Sequence, residues 1–307
     1  MSVRYVTADV FTDQPFGGNQ LAVFPDASGI AEEWLLPITR EFNFSEVTFC
    51  YPPVSPGATR RVRIFTPGGE IPFAGHPTIG TAHVLVAIGE VPASGDQVSL
   101  ILEEGVGPVP VTVRLSDGRP VFAQFTTARL PEVGPPPPSR GVLADILGLD
   151  AGDIGFGGQA PQALSVGYPF LLVPVRDTAC VSKARVRVDR WESTLRSSWA
   201  PEILVFAPDP ENGPMHYRAR MFAPGINIAE DPATGSAAAC LAGYLAARVT
   251  DPDVTLRWSI DQGVEMGRPS RLEIEADRAD GALRAIRVGG ATVLMSEGTL
   301  QLPPPRD

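Results

Sequence analysis

The chain has 307 residues, 44% of them hydrophobic and 20% charged, with a net charge of −10 at neutral pH. That length allows two domains with cores of their own, and the acidic balance argues against a protein that tracks nucleic-acid phosphates, which needs clustered positive charge. Among 25 basic residues Lys183 is the one lysine; it lies in a polar stretch, so a Schiff-base or pyridoxal-phosphate mechanism, which needs a desolvated lysine amine, is excluded.

From the N-terminus, runs rich in Val, Ile, Phe and Thr and bounded by Gly, Pro and Asp predict strands over 3–11, 20–25, 47–51, 60–65, 97–103, 109–115 and 120–126. Helices are expected over 31–42 and 77–89. Near the middle, Pro135-Pro136-Pro137-Pro138 can be neither helix nor central strand and predicts a semi-rigid spacer. It separates an expected domain of residues 1–130 from one of residues 131–307, the final strand being a candidate to return to the first domain. After the spacer, helices are expected over 139–148, 189–198 and 233–248, with strands near 161–166, 170–175, 202–207, 215–222, 254–260, 271–276, 283–288 and 291–296. Many strands and few helices in each half predict an α+β fold.

Met1-Ser2-Val3-Arg4-Tyr5 shows a strand pattern rather than the apolar core of a signal peptide. The longest uncharged run, Ile154 to Val175, is broken by Pro161, Pro169 and Pro174, so no membrane span is expected and the chain reads as cytoplasmic. Cys50, Cys180 and Cys240 are odd in number and widely spaced, and His76, His83 and His216 form no metal-ligand pattern. Neither disulfide nor metal is expected. Gly155-Phe156-Gly157-Gly158-Gln159-Ala160 fits a dinucleotide-loop pattern, but Pro161 and a strand follow it rather than a helix to hold a pyrophosphate.

Internal repetition is more informative. Arg63-Ile64-Phe65-Thr66-Pro67-Gly68 recurs as Arg220-Met221-Phe222-Ala223-Pro224-Gly225, and His76-Pro77-Thr78-Ile79-Gly80-Thr81-Ala82 aligns with Asp231-Pro232-Ala233-Thr234-Gly235-Ser236-Ala237. A fainter match pairs Gly18 through Val23 with Gly167 through Leu172. The shared order predicts two copies of one domain. In each copy a strand ends in a Pro-Gly turn and a short connection leads to a helix, with His76 and Asp231 expected as equivalent N-caps and a proline at the first helical position. The helix after Gly235 is small and apolar on nearly every face, which predicts burial all round, as in a helix wrapped by a curved sheet.

Two such helix starts, with their free N–H groups, would favour an anion such as a carboxylate in one shared cleft, where His76 and Asp231 would be partners. Glu46 is a third candidate, a carboxylate in the apolar run Phe42-Asn43-Phe44-Ser45-Glu46-Val47-Thr48-Phe49, where burial would suit it to general-base work.

The chain resembles the PhzF family, the phenazine-biosynthesis isomerase group with the diaminopimelate-epimerase fold. Five ordered motifs carry the resemblance: Asp9-Val10-Phe11-Thr12 through Phe16-Gly17-Gly18-Asn19, Asn43-Phe44-Ser45-Glu46, Gly75-His76-Pro77-Thr78-Ile79-Gly80, Glu230-Asp231-Pro232-Ala233-Thr234-Gly235-Ser236, and Gln262-Gly263-Val264-Glu265-Met266-Gly267-Arg268-Pro269. The resemblance implies two pseudo-symmetric domains, each a mixed curled β-sheet wrapped around a central α-helix. It makes Glu46 the acid/base, with His76 and Asp231 completing the catalytic set and Gly75, Gly235 and Ser236 holding the substrate. Related epimerases carry two cysteines near these helix starts, where this chain has His76 and Asp231. The implied reaction is a cofactor-independent isomerisation of a small anionic, unsaturated metabolite similar to a dihydro-hydroxyanthranilate, and the implied assembly is a homodimer. An amino-acid or hydroxy-acid epimerase, and a non-catalytic metabolite-binding protein, remain the alternative readings.

Overall fold

Alternating apolar and polar residues, the period-2 signature of a half-buried strand, mark the strands over residues 107–116, 254–262 and 270–279, whereas those over 46–51 and 202–208 are buried along nearly their whole length. The computed structural model describes residues 2–303. In chain order the first elements are β1 (Ser2–Val10), β2 (Asn19–Phe24), α1 (Glu32–Phe42), β3 (Glu46–Tyr51), β4 (Arg60–Thr66), β5 (Gly69–Ile71), α2 (Gly75–Ala87), β6 (Gln97–Glu104), β7 (Gly107–Ser116) and β8 (Arg119–Thr126). Then come β9 (Glu132–Val133), α3 (Arg140–Leu147), β10 (Gln162–Ser165), β11 (Pro169–Pro174), α4 (Thr178–Lys183), α5 (Val188–Thr194), β12 (Glu202–Pro208), β13 (His216–Ala223) and β14 (Ile228–Asp231). The last are α6 (Gly235–Ala246), β15 (Val254–Gln262), β16 (Ser270–Ala279), β17 (Ala282–Gly290) and β18 (Thr292–Gln301). Two units emerge: residues up to Ala128 together with those from Gly289 onward, and Arg129–Val288.

In the first unit β2 runs antiparallel to β1 and parallel to β3, β3 is antiparallel to β4, β4 is antiparallel to β5 and parallel to β6, and β6, β7 and β8 form an antiparallel meander. β18 pairs antiparallel with β1 in this unit. The second unit repeats the order: β10 antiparallel to β11, β11 parallel to β12, β12 antiparallel to β13, β13 antiparallel to β14 and parallel to β15, β15 antiparallel to β16. The fold is α+β, two copies of one mixed-sheet design.

Each sheet curls around a helix. α2 buries every residue but Ala87, and α6 every residue but Ser236. Neither sequence offers a polar face, so a sheet must cover all sides to remove that apolar surface from water. α2 packs against β1, β2, β3, β6, β7 and β8, and α6 against β10, β11, β15 and β16. The approach is close at Gly80, where an added Cβ would lie 2.5 Å from Leu21 Cδ2 and 2.6 Å from Val10 Cγ2. Gly80→Ala is therefore expected to destabilise the protein by about 1–3 kcal/mol through overpacking, read as a lowered denaturant midpoint at constant m-value.

The outer sheet faces carry second cores. Val47 and Phe49 pack with Leu35 and Ile38 of α1, and Ile203 and Val205 with Leu143, Val181 and Trp191 of α3, α4 and α5. α4 falls where sequence gave only a polar stretch; Asp177 caps it, its Oδ1 accepting from the Cys180 N–H at 2.9 Å. Among the described residues no helix is long and apolar enough to cross a membrane.

Two expectations about the central helices are corrected. His76 is not an N-cap: α2 begins at Gly75 with Ala74 as N-cap, so His76 is the second helical residue and Pro77 the third. Pro77 still costs nothing there, because N–H groups in the first turn lack intrahelical partners. Asp231 is not an N-cap either. It ends β14, and Thr234 takes the N-cap position of α6.

Candidate active site

Asn43 ends α1 in the left-handed conformation at φ 53°, its N–H donating to the Thr39 carbonyl at 3.1 Å, a geometry asparagine tolerates better than most residues. The chain turns there into β3, whose first residue is Glu46, paired across from Leu21 of β2. Side chains alternate along a strand, so Glu46 shares a face with Thr48, and the Thr48 hydroxyl meets the Thr81 hydroxyl of α2 at 2.9 Å. Glu46 thus looks onto the central helix. Its Oε2 lies 3.4 Å from His76 Nε2, and Asn19 Nδ2 lies 3.2 Å from His76 Nδ1. All three residues are buried. Sequence brought Glu46 and His76 forward separately, and the structure brings them together.

Burial pushes the His76 imidazole down to about 3, against a smaller opposing pull from a backbone hydrogen bond with Gln20. It is neutral at physiological pH. A neutral imidazole does not lock the neighbouring carboxylate into an ion pair, which leaves Glu46 able to take up and give back a proton. Gly75, the first residue of α2, is buried and has no side chain, so it keeps the helix start open.

His83, about two turns further along α2, is pushed down to about 4 by burial alone. Both histidines bind a proton more readily in the unfolded chain, near the ordinary value of about 6.5. The unfolded state then holds more protons below that pH, so stability is full above about 6.5 and is lost as pH falls toward 4 and then 3. The thermal midpoint should drop across that window, and NMR should show neither imidazole titrating between pH 5 and 8. An imidazole that titrates near 6.5 would contradict this account.

In the second unit Asp231 is buried at the end of β14, and its Oδ2 accepts from the Thr234 hydroxyl. Gly235 and Ser236 are the first two residues of α6, Gly235 buried and Ser236 partly exposed. Just before Asp231, Glu230 receives Arg220 through both carboxylate oxygens at 2.7 Å. Arg63 and Glu70 make the same paired contact in the first unit, at 2.7 and 2.6 Å. The arginine-to-glutamate spacing is seven residues in the first unit and ten in the second. This resets the repeat: Glu70 matches Glu230, Gly75 matches Gly235, and His76 matches Ser236 rather than Asp231. The longer connection is the 3-10 turn Pro224–Ile226, closed by Asn227 at φ 62°, where the first unit needs only a tight hairpin.

Three contributors had no role assigned from sequence. Asn19 and Gln262 stood inside quoted motifs, and Arg220 inside the repeat; the signal was present, but nothing local said what each side chain touches. Among the described residues one group could hold a metal: Asp209, His216 and Asp261 bring ligand atoms within 4.8 Å of one another. Arg271 lies 3.1 Å from Asp261 and His216 Nε2 2.9 Å from it, so the cluster already reads as an ion-pair network.

Residues 8–298 match the PhzC-PhzF family, described as phenazine biosynthesis-like proteins. An uncharacterized isomerase of Mesorhizobium japonicum is 37% identical over 300 residues, covering 97% of this chain and 98% of that protein. Trans-2,3-dihydro-3-hydroxyanthranilate isomerase of Pseudomonas aeruginosa is 34% identical over 305 residues, covering 97% and 99%. The crystal structure of a Bacillus anthracis phenazine biosynthesis protein of the PhzF family superimposes with a TM-score of 0.87 at 24% identity, covering 98% of this chain and all of that one.

Proposed function

The chain belongs to the PhzC-PhzF family of phenazine biosynthesis-like proteins and is an isomerase, and on that premise we propose that it moves a proton, and with it a double bond, within a small unsaturated metabolite bearing a carboxylate. The observation that carries this reading is Glu46, buried 3.4 Å from an imidazole that burial keeps neutral. The Glu46 carboxylate takes a proton from a carbon acidified by the neighbouring unsaturation. The electron pair of the broken C–H bond shifts the double bond, and the Glu46 carboxyl, after exchanging its proton with solvent, protonates a second carbon, so substrate and product are isomers and no cofactor is consumed. A positioned acid/base contributes about 10²- to 10⁴-fold.

His76 stands beside the Glu46 carboxyl on the helix side, and the Gly75 N–H supplies a fixed dipole that stabilises developing negative charge; Asp231, Gly235 and Ser236 are the substrate-holding candidates of the second unit. The thiols support the carboxyl as base by being poor candidates themselves. Cys50 and Cys240 are fully buried, and burial pushes both up to about 12, far from the thiolate a two-thiol mechanism needs. The relative's substrate, trans-2,3-dihydro-3-hydroxyanthranilate, is the first compound to test. Incubation in D₂O should yield an isomer carrying solvent deuterium at the newly protonated carbon. A protein that neither isomerises that compound or related unsaturated carboxylates nor exchanges their hydrogen would overturn the reading.

A further inference from the structure

We propose that Glu104 and Gln262 are paired positioning residues, each reaching back from the strand after its unit's central helix to hold the turn that opens that helix. The two occupy one register position. β4 runs parallel to β6 with Arg61 opposite Glu103, and β13 runs parallel to β15 with Arg218 opposite Asp261. Arg61 and Arg218 stand two residues before the repeated arginines, Arg63 and Arg220. Glu104 and Gln262, one step further along their strands, are therefore counterparts. Both are buried, at 5% and 1% exposure.

Gln262 ends β15 with its amide in the loop that carries Asp231. Its Nε2 donates to the Asp231 carbonyl at 2.8 Å and lies 3.2 Å from the Thr234 hydroxyl, while its Oε1 accepts from the Thr234 N–H at 3.4 Å. Gly263 follows in the left-handed region at φ 73°, where a Cβ would come within 2.6 Å of the Pro232 carbonyl oxygen. The Gln262-Gly263 pair is thus the buttress of the Asp231-Pro232 turn, which accounts for this part of its motif.

Glu104 serves α2. Thr78 Oγ1 lies 2.8 Å from Glu104 Oε1 and 2.8 Å from the carbonyl of Ala74, the N-cap residue. One hydroxyl hydrogen cannot satisfy two acceptors. Both contacts are made only when Glu104 carries a proton and donates to Thr78, which in turn donates to Ala74. The other oxygen, Oε2, has no hydrogen-bond partner among the described residues, a modest cost for a neutral carbonyl oxygen and a heavy one for half of a carboxylate. Burial pushes the carboxyl up to about 8, the Thr78 hydrogen bond pulling it back. Arg61, Arg63, Glu70 and Glu103 line the same surface depression as Glu104, and its charge also acts weakly on the buried Cys50 thiol of β3, which burial pushes up to about 12. Glu104 acts as a neutral donor, as the Gln262 amide does, and reaches the turn bearing Gly75 and His76 through Thr78 and the Ala74 carbonyl, where Gln262 reaches Asp231 and Thr234 directly.

The inference deepens the isomerase reading and rests on it only for the activity arm of its test. Glu104→Ala, Glu104→Gln and wild type are compared by amide hydrogen exchange over residues 78–82, and by kcat and KM on trans-2,3-dihydro-3-hydroxyanthranilate from pH 6 to 10. Glu104→Ala should speed exchange by about 10-fold or more and lower kcat by about 10²-fold with little change in KM, the effect of misplacing a reacting group. Glu104→Gln should restore both, and should hold its kcat above pH 8, where the wild type loses it as Glu104 ionises. Exchange in Glu104→Ala as slow as in wild type, or Glu104→Gln as damaged as Glu104→Ala, overturns the proposal. If Glu104→Ala does not fold, Glu104→Gln against wild type above pH 8 decides the question through hydrogen exchange. A wild type inactive on this substrate, with the exchange pattern as expected, would sink the substrate assignment and leave the bracing role standing.

Discussion

Glu46→Gln is expected to lower kcat on a substrate the wild type isomerises by about 10²- to 10⁴-fold, while KM and the thermal midpoint stay close to wild type. Glutamine has the shape of glutamic acid and keeps its place opposite Leu21 and 3.4 Å from His76, but its amide cannot accept a proton from carbon. An unchanged KM with a collapsed kcat separates the loss of a group that acts only in the transition state from a loss of binding. Deuterium incorporation from D₂O should fall in step with kcat, since both pass through the same carboxyl. A Glu46→Gln protein that turns over at the wild-type rate would show that another residue is the base. His76 does not replace it: burial holds its imidazole near 3, too weak a base to compete at neutral pH.

Arg220→Ala should cost about 3–5 kcal/mol of folding stability, because it strands the mostly buried Glu230 carboxylate, 16% exposed, rather than merely deleting a contact. Arg220 is 3% exposed. It donates to both oxygens of Glu230 and to the carbonyls of Val181, Ser182 and Ala184, the nearest at 2.7 Å. Removing it leaves the Glu230 carboxylate without its guanidinium, while the carbonyls of Val181, Ser182 and Ala184 keep the Ala184 N–H and the Arg185 guanidinium as donors. The first unit provides an internal comparison. Arg63 makes the same fork with Glu70 and a second with Glu32, but those acids are 43% and 73% exposed, so solvent compensates and Arg63→Ala should cost no more than about 1 kcal/mol. Denaturant midpoints of the two variants test the contrast. Equal losses would mean that burial is not what sets the strength of these forks. Replacing Arg220 and Glu230 together with methionine should recover much of the stability, since no charge is then left buried.

Helices and strands were legible because their cause is local. A period of two along β7, β15 or β16, a helix without a polar face over Gly235–Ala246, and Pro-Gly turns after the repeated arginines each follow from residues close in sequence. So was the repetition itself, and with it the α+β design in two copies. Glu46 and His76 could be singled out by residue type and motif. Their separation of 3.4 Å could not, because it depends on β3 pairing with β2 and on α2 lying against the face that Thr48 and Glu46 share.

The repeat shows where local reading stops. Sequence alone aligned His76 with Asp231, since both precede a proline by one residue. Strand pairing and the two Arg–Glu forks align His76 with Ser236 instead, the difference being absorbed by the turn at Pro224–Ile226. A loop can gain residues at little thermodynamic cost, whereas a strand cannot slip by one residue without turning its apolar face to water, so register and not sequence spacing carries the equivalence. The same distinction separates the roles of Glu104 and Gln262. By itself the sequence determined the elements, their duplication and the residue types available for acid/base chemistry. Which buried group braces which turn, and which carboxyl stands beside which imidazole, was decided by long-range pairing and burial that no local segment encodes.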